Sequence, residues 1–217
     1  MKNISKMFST FATIMLLQSA VVSASVVNNI DEGINYRINY PIVYTNDQTA
    51  QDKINQNIQG HVTTFKTDFD EGRFFGGEFS YEVKFEDDDY ISLTMTDSRY
   101  EFGAAHGYYG VYGIVYDKHT GEQIPLTNFL KITTDDLQNL SKSHFYNSID
   151  EEISLDYSEW TDNQPIRVSE DYYFLGDGGI ALIYQIYELA AYAEGSTTIR
   201  LSGNEVEYFN RKNKNLR

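Results

Sequence analysis

The sequence contains no cysteine, only three prolines and a single tryptophan. Without cysteine the chain forms no disulfide, offers no thiol nucleophile and cannot carry a lipoprotein anchor. Stability must therefore come from the packing of a hydrophobic core. Aromatic residues supply the material for such a core, since they make up 15% of the chain, with 18 tyrosines and 13 phenylalanines.

Basic residues are also scarce, with 17 lysines and arginines against 32 aspartates and glutamates, which leaves a formal net charge of −15. A surface of this sign repels nucleic acid and anionic lipid, so we expect neither as a partner. It favours cations or basic proteins. Plain solubility is the simpler explanation for the same charge.

The chain begins with a pattern typical of export. Lys2 and Lys6 precede a mostly apolar run at residues 7–22, and small residues end at Ala24. This pattern predicts a signal peptide over residues 1–24 and a periplasmic or extracellular protein without stable membrane insertion, and loss of the two lysines leaves a charge of about −17. An uncleaved anchor is the alternative, although the run falls short of the ~20 residues of a membrane span.

Alternation of apolar and polar residues predicts most of the strands. Residues 78–86 and 91–95 alternate on either side of three aspartates, which predicts a β-hairpin whose strands have one solvent-facing side. We expect residues 108–116 to form a central strand, because aromatic rings lie on both of its faces. Further strands are predicted at residues 36–44, 180–186 and 197–201, and Pro41 indicates an edge or a bulge in the first of them.

Spacings of three and four residues predict two long helices and a short C-terminal one at residues 204–212. The first starts near Gln48 and the second starts at a capping box of Thr133 and Asp136. The apolar positions of these helices are Ile54, Ile58, Val62, Phe65 and Phe69, then Leu137, Leu140, Phe145, Ile149 and Ile153. The predicted class is α+β, with two long helices packed on a mainly antiparallel sheet.

Residues 25–217 are enough for one domain, with two adjoining parts at residues 35–100 and 101–212 as an open alternative. Residues 157–167 lack periodicity and contain Trp160 and Pro165. We interpret them as a loop between the two halves.

Three short motifs carry most of the information about function. They are GAAHG at residues 103–107, YDKHTGEQIPL at 116–126 and YELAAYAEG at 187–195. Their order and spacing resemble the extracellular domain of the anti-sigma-V factor family (RsiV-like), over roughly residues 35–212, and the non-catalytic N-terminal domain of peptidoglycan deacetylase C.

The resemblance implies an envelope binding module that takes lysozyme or another cationic protein as partner, with no catalytic residue and no cofactor. Because at most six residues precede the apolar run, we expect the sensor part without the segment that holds a sigma factor. A hydrolase or accessory domain acting on cell-wall glycan and a purely structural envelope domain are the alternatives. The oligomeric state stays open.

His106 is the sharpest single candidate for a binding or structural site. It lies between Gly103 and Gly107, where backbones approach closely, so the imidazole is a hydrogen-bonded strut, a base or a ligand, and the glycines favour the strut. The family usually has Gly-Gly-Ala-His-Gly, and Ala104 departs from this pattern. That change argues against a role that needs a positive φ at residue 104.

The third motif contributes Glu188 and Tyr192, with Ala191 where the family usually has proline. Glu188 follows an apolar strand, so we expect it to be partly buried and to need a partner. His106 is one possible partner, in a structural pair first.

Neither a metal site nor a Ser nucleophile is indicated. The four histidines, His61, His106, His119 and His144, lack metal-type spacing, and the acidic groups at residues 68–71 and 87–89 lack the pattern of a calcium loop. No Gly-x-Ser-x-Gly motif is present.

Overall fold

The structure is a computed structural model that describes residues 25–140, 143–153 and 165–216. The predicted leader at residues 1–24 and most of the predicted loop, including Trp160, lie outside the described residues. Within the described ranges, every helix is too short or too polar to cross a membrane.

The first sheet has five strands in the order β1-β2-β3-β4-β5. Its pairs are antiparallel, apart from a short parallel contact between β2 and β3. The predicted hairpin is confirmed as β3 and β4. The strands are β1 (Val26–Gly33), β2 (Tyr36–Val43), β3 (Gly76–Glu86), β4 (Tyr90–Tyr100) and β5 (Tyr108–Asp117).

One long helix, α1 (Gln48–Asp70), covers one face of this sheet. Its start is capped by Asp47, whose side chain accepts a hydrogen bond from the Ala50 amide at 2.8 Å. The predicted apolar face is confirmed, because its side chains are buried against Leu93 and Met95 of β4. An amphipathic stripe of this length is the strongest helical signal that a sequence offers.

The second sheet has four short antiparallel strands in the order β6-β9-β8-β7. Helices α2 (Thr134–Leu140) and α3 (Gly203–Lys212) pack on one side of it. Two 3-10 turns, Leu126–Asn128 and Tyr192–Glu194, lie in its connections. The strands are β6 (Phe145–Tyr146), β7 (Tyr172–Gly176), β8 (Gly179–Tyr184) and β9 (Thr197–Leu201).

The two sheets pack face to face, on the side of the first sheet that α1 leaves uncovered. Ala181 and Ile183 of β8 meet Val111 of β5 there, whereas alternate β8 residues face α2 and α3. Gly113 makes the approach possible, because a Cβ at this position would lie 2.4 Å from the Tyr172 carbonyl oxygen. The order of layers is therefore helix, sheet, sheet, helices.

This packing overturns the expected solvent-facing side of the hairpin on β4, whereas Glu78 and Glu82 of β3 are exposed as expected. Ser92 of β4 is fully buried, and Thr94 is 6% exposed. The Ser92 hydroxyl accepts a hydrogen bond from the Phe174 amide at 3.0 Å. Small hydroxyl side chains read as polar in a sequence, but they pack in a core when a strand of another sheet supplies the partner.

The second long helix was predicted wrongly. Its capping box is present, with Asp136 N donating to Thr133 Oγ1 at 3.2 Å and Thr133 N donating to Asp136 Oδ2 at 3.1 Å. However, α2 has only seven residues. Phe145 lies in β6 and pairs with Ile199 of β9, and Ile149 is 70% exposed in the turn that follows. The helical spacing of these apolar residues is therefore coincidental, because a pairing distant in sequence decides the conformation.

The strand at residues 108–116 was also placed wrongly, since β5 is an edge strand of the first sheet. It carries aromatic rings on both faces because α1 covers one face and the second sheet covers the other. Part of its free edge is occupied by the Gln185 side chain, whose amide bonds Val111 N at 2.9 Å and Val111 O at 2.7 Å. Pro41 lies in β2, which pairs on one side with β1, a strand not predicted. The pairing of β2 with β3 covers only Tyr36–Ile38, so in the part of the chain that the structure describes the other side of β2 has no partner strand at Pro41, in agreement with the expected edge.

Candidate functional site

His106 lies in the loop between β4 and β5, with its side chain exposed to solvent. Its Nδ1 is 2.9 Å from the Gly107 carbonyl oxygen. Gly103 adopts a φ of +79°, which explains a glycine there, and residue 104 has no positive φ. Alanine at position 104 is therefore compatible with this loop.

Tyr192 joins the first motif to the third. It starts the Tyr192–Glu194 turn, and its hydroxyl donates a hydrogen bond to the Gly107 carbonyl at 2.8 Å. Its ring centroid is 4.3 Å from that of His106. Ala191, with φ −62° and ψ 155°, has a backbone that proline would also adopt. Two motifs separated by about eighty residues thus form one surface feature.

Tyr187 completes this cluster in an unusual backbone conformation. Its φ is +65°, although it is a bulky residue in which this region is strongly disfavoured. The side chain is 52% exposed, its ring lies 5.5 Å from that of Tyr192, and its hydroxyl lies 3.5 Å from His106 Nε2. Tyr187 begins the third motif, but local composition does not indicate its left-handed conformation or its contact with His106.

Glu188 does not pair with His106 in the described structure. Its Oε1 accepts from Arg167 Nε at 2.5 Å, and its Oε2 accepts from Arg167 Nη2 at 3.1 Å and from the Gln185 amide at 2.9 Å. The hydrogen bond to Glu188 raises the pKa of Arg167. Glu188 therefore holds the segment after β8 in place and leaves the imidazole of His106 to Tyr192 and Tyr187.

Further exposed rings lie at the same end of the β4–β5 hairpin. Phe102 is 78% exposed and contacts Phe75 at 4.8 Å between ring centroids, and Tyr108 is 55% exposed. We name this set the aromatic surface. It consists of His106, Tyr187 and Tyr192, which contact one another, together with Phe102 in the same loop as His106 and Tyr108 at the start of β5, both of which are exposed. Clusters of exposed rings mark interaction sites more often than isolated ones do.

The second motif, residues 116–126, has a structural role. Asp117 Oδ1 accepts hydrogen bonds from the amides of His119 and Thr120, both at 2.8 Å, which closes the turn. Gly121, with φ +74°, lies against α1, since a Cβ there would be 2.5 Å from the Ala50 carbonyl oxygen. A hydrogen bond to Asp89 raises the pKa of His119. This motif joins the β5 end to α1.

Metal ligands do not gather in the part of the chain that the structure describes, where no group of three or more His, Asp or Glu side chains could hold an ion. His144 Nε2 lies 2.7 Å from Glu205 Oε1, and His61 lies beside Tyr112 with 6.1 Å between ring centroids. Burial lowers the pKa of His61.

Two family models match separate parts of the chain, each less than half of it. Residues 27–109 match the model described as "Deacetylase PdaC", and residues 127–203 match "Protein of unknown function (DUF3298)". No curated protein matches the chain by sequence. The resemblance drawn from the motifs is confirmed at this level, and the closer assignment to anti-sigma-V factors stays a prediction.

Solved structures show the same fold. A member of the DUF3298 family from Bacteroides fragilis (BF2082) has a TM-score of 0.56 at 16% identity, with 85% of this chain and 90% of that chain covered. A DUF3298 family protein from Pseudomonas aeruginosa (PA4972) has a TM-score of 0.54 at 12% identity, with 84% and 90% covered. The fold is therefore an α+β arrangement that the DUF3298 proteins share.

Proposed function

We propose that this protein is an exported envelope module that binds a cationic protein, with lysozyme as the first candidate. The observation that carries the proposal is the aromatic surface, where two of the three motifs meet around His106 and Tyr192. Export rests on the leader pattern at residues 1–24.

Tyrosine is among the residues that dominate binding energy at protein interfaces, because it combines a large rigid ring with a hydroxyl. Tyr187 is the clearest anchor of the surface, being half exposed and held in a left-handed conformation. Such strain costs about 1–3 kcal/mol and persists at sites where the surroundings require it. A role for its ring in recognition accounts for a tyrosine where glycine would relieve the strain.

The charge of the chain favours the same class of partner. A net charge of −15 attracts a basic protein over long range and speeds the encounter, while the rings supply short-range contact. Long-range attraction weakens with salt, since the Debye length is about 8 Å at physiological ionic strength. We therefore expect the association rate constant to rise as the salt concentration falls, and the dissociation rate constant to change less.

The test immobilises residues 25–217 on a sensor surface and passes over a cationic lysozyme, with cytochrome c as a basic protein of similar size. We expect saturable binding of lysozyme at moderate salt and much weaker retention of cytochrome c. Equal retention of lysozyme and cytochrome c would mean that charge alone accounts for the binding. Retention of lysozyme no greater than that on an unrelated acidic protein would end the proposal.

Two matched variants locate the surface. Tyr187→Gly removes the ring and also relieves the positive φ, so the fold is kept or stabilised while lysozyme affinity falls at least tenfold. Tyr208→Ala, on α3, removes a tyrosine that is 53% exposed and serves as the control. We expect Tyr208→Ala to bind as the unchanged protein does. Loss of binding in both variants, or in neither, would move the site elsewhere.

Recognition of cell-wall glycan is the second candidate function, favoured by the match of residues 27–109 to a model described as a deacetylase. Exposed rings also stack on the apolar faces of sugars. Sedimentation of the protein with purified peptidoglycan tests binding, and release of acetate from the same material tests turnover. Glycan binding that is lost in Tyr187→Gly, with no lysozyme binding, would make this the better assignment.

A further inference from the structure

A pocket lies far from the aromatic surface, between the β3–β4 turn and the β7–β8 turn. It has a volume of about 320 Å³. Strand β4 runs from Tyr90 at this pocket to Tyr100 before the His106 loop, a length of about 34 Å at a rise of 3.4 Å per residue. Its walls are aromatic and its floor is aliphatic. They are formed by Phe85, Tyr90, Phe129, Phe174, Ile180 and Val206.

Three of the rings form a corner in which each is nearly perpendicular to the others. Tyr90 and Phe129 are 5.4 Å apart at 87°, Tyr90 and Phe174 are 5.9 Å apart at 88°, and Phe129 and Phe174 are 4.9 Å apart at 90°. Phe85 adds a fourth ring, 5.7 Å from Phe174. All four are partly exposed, so they line a pocket open to solvent. The volume lies at the lower end of that of small-molecule sites.

Asp87 is the one acidic residue among those that line this pocket. Asp87 Oδ1 accepts from the amides of Asp89 at 2.9 Å and Tyr90 at 2.7 Å, which fixes its direction in the β3–β4 turn. Its neighbour Glu86 is neutralised by Lys118 at 2.7 Å. Asp87 forms no salt bridge within residues 25–140, 143–153 and 165–216, although Lys118 Nζ donates to its carbonyl oxygen at 2.8 Å.

Rings and a carboxylate together select one class of ligand. The face of an aromatic ring carries negative potential and attracts cations within about 6 Å. Apolar walls exclude ions with tight hydration shells, such as metal ions, but accept a cation whose charge is spread over methyl groups. We propose that this pocket binds a small organic cation, an alkylated or quaternary ammonium compound, with its charge between the ring corner and Asp87.

The test compares two compounds of nearly equal shape, choline and the neutral 3,3-dimethyl-1-butanol, titrated into the purified protein and followed by NMR. We expect choline to bind about tenfold more tightly, the contribution of charge near rings. Shifts should concentrate on the amides around Asp87, Phe129 and the Gly176–Gly179 turn. Equal affinities would overturn the cationic ligand, and no shift with either compound would overturn the site.

Two isosteric variants distinguish the effect of the Asp87 carboxylate from that of negative charge elsewhere in the same turn. Asp87→Asn keeps the acceptor for the two amides but removes the charge, and we expect choline affinity to fall three- to tenfold. Asp88→Asn changes the same charge one residue away, at a side chain that does not line the pocket, and should leave affinity unchanged. Equal losses in both variants would overturn the role of Asp87. Lysozyme binding, which is proposed for the surface at the opposite end of β4, should persist in both.

Discussion

The two sheets of this protein differ in how their cores are assembled. The first has strands of eight to eleven residues and one helix of 23 residues, so its core comes almost wholly from regular elements. The second has strands of two to six residues, and its core takes Leu126, Leu130, Ile166 and Leu189 from turns and connections. A long helix or strand shows a regular spacing of apolar residues in the sequence. Core residues that come from turns and connections have no regular spacing, so the sequence does not reveal them.

The strand β5 joins these two regions. Ile114 and Tyr116 are buried in the core beneath α1, and Val115 between them is buried in the core of the second sheet. Neighbouring residues of one strand thus contribute to two cores. We infer that the regions unfold together, although the two family models divide near this strand.

The largest expected effect comes from removing a central ring of the first core. Phe65 is fully buried against Phe74, 5.0 Å between ring centroids, so Phe65→Ala should lower the free energy of unfolding by about 3–5 kcal/mol. Leu182→Ala, in the second core, should cost about 2–5 kcal/mol. Urea unfolding followed by circular dichroism and by tyrosine fluorescence should show one transition for each variant. Separate transitions would mean that the regions are independent.

The substitution Gly113→Ala should disturb the packing between the two sheets. The new methyl group would lie 2.4 Å from the Tyr172 carbonyl oxygen, which is backbone and cannot rotate away, so the cost should be about 3 kcal/mol. Gly60→Ala is the matched control on α1, with no atom within 4 Å of the added methyl. It should stabilise by up to about 1 kcal/mol, because alanine favours helix. A tolerated Gly113→Ala would mean that the sheets lie further apart.

Asp136 links α2 to α3 and predicts a pH dependence of the second region. Burial opposes its ionisation, but hydrogen bonds from Lys212, Asn213 and Thr133 lower its pKa to about 2. A carboxyl that titrates near 3.9 when unfolded then contributes about 2 kcal/mol, fully present above pH ~4 and lost as the pH falls towards 2.

The Asp136→Asn variant should therefore be about 2 kcal/mol less stable at pH 7, with a flatter dependence of stability between pH 4 and 2. Thermal unfolding across that range measures both effects. Asp135→Asn, at the exposed neighbouring position, is the control and should follow the unchanged protein. An acid profile of Asp136→Asn that matches the original would contradict the pairing.

The smallest expected change in stability comes from two side-chain amides, each of which hydrogen-bonds the backbone of a strand. Asn55 bonds Val43 N and O, both at 2.8 Å, within the first region, and Gln185 bonds Val111 across the two regions. Either change to alanine should cost about 1 kcal/mol. Hydrogen exchange should quicken at Val43 in one variant and at Val111 in the other. Exchange unaltered at both amides would show that water replaces the lost partner.

Much of the first region was predictable from its residues. The stripe of α1 and the β3–β4 hairpin are local features, as is the capping box at Thr133 and Asp136 in the second region, and the structure confirms all three. The candidate site was predictable only as separate motifs. Sequence reasoning suggested Glu188 as the partner of His106. The partner of Glu188 is instead Arg167, the last residue of a stretch without periodicity.

By itself the sequence determined the apolar stripe of the long helix, where that helix begins, and that the chain is acidic, because these depend on composition and on neighbours within a few residues. Only the tertiary structure decided that β5 is an edge strand, that residues 145–146 form a strand and that Tyr187 meets His106. The physical reason is that the spacing of apolar residues shows which face of an element must be buried, but not which other element buries it. The covering element is chosen by packing between residues far apart in the chain.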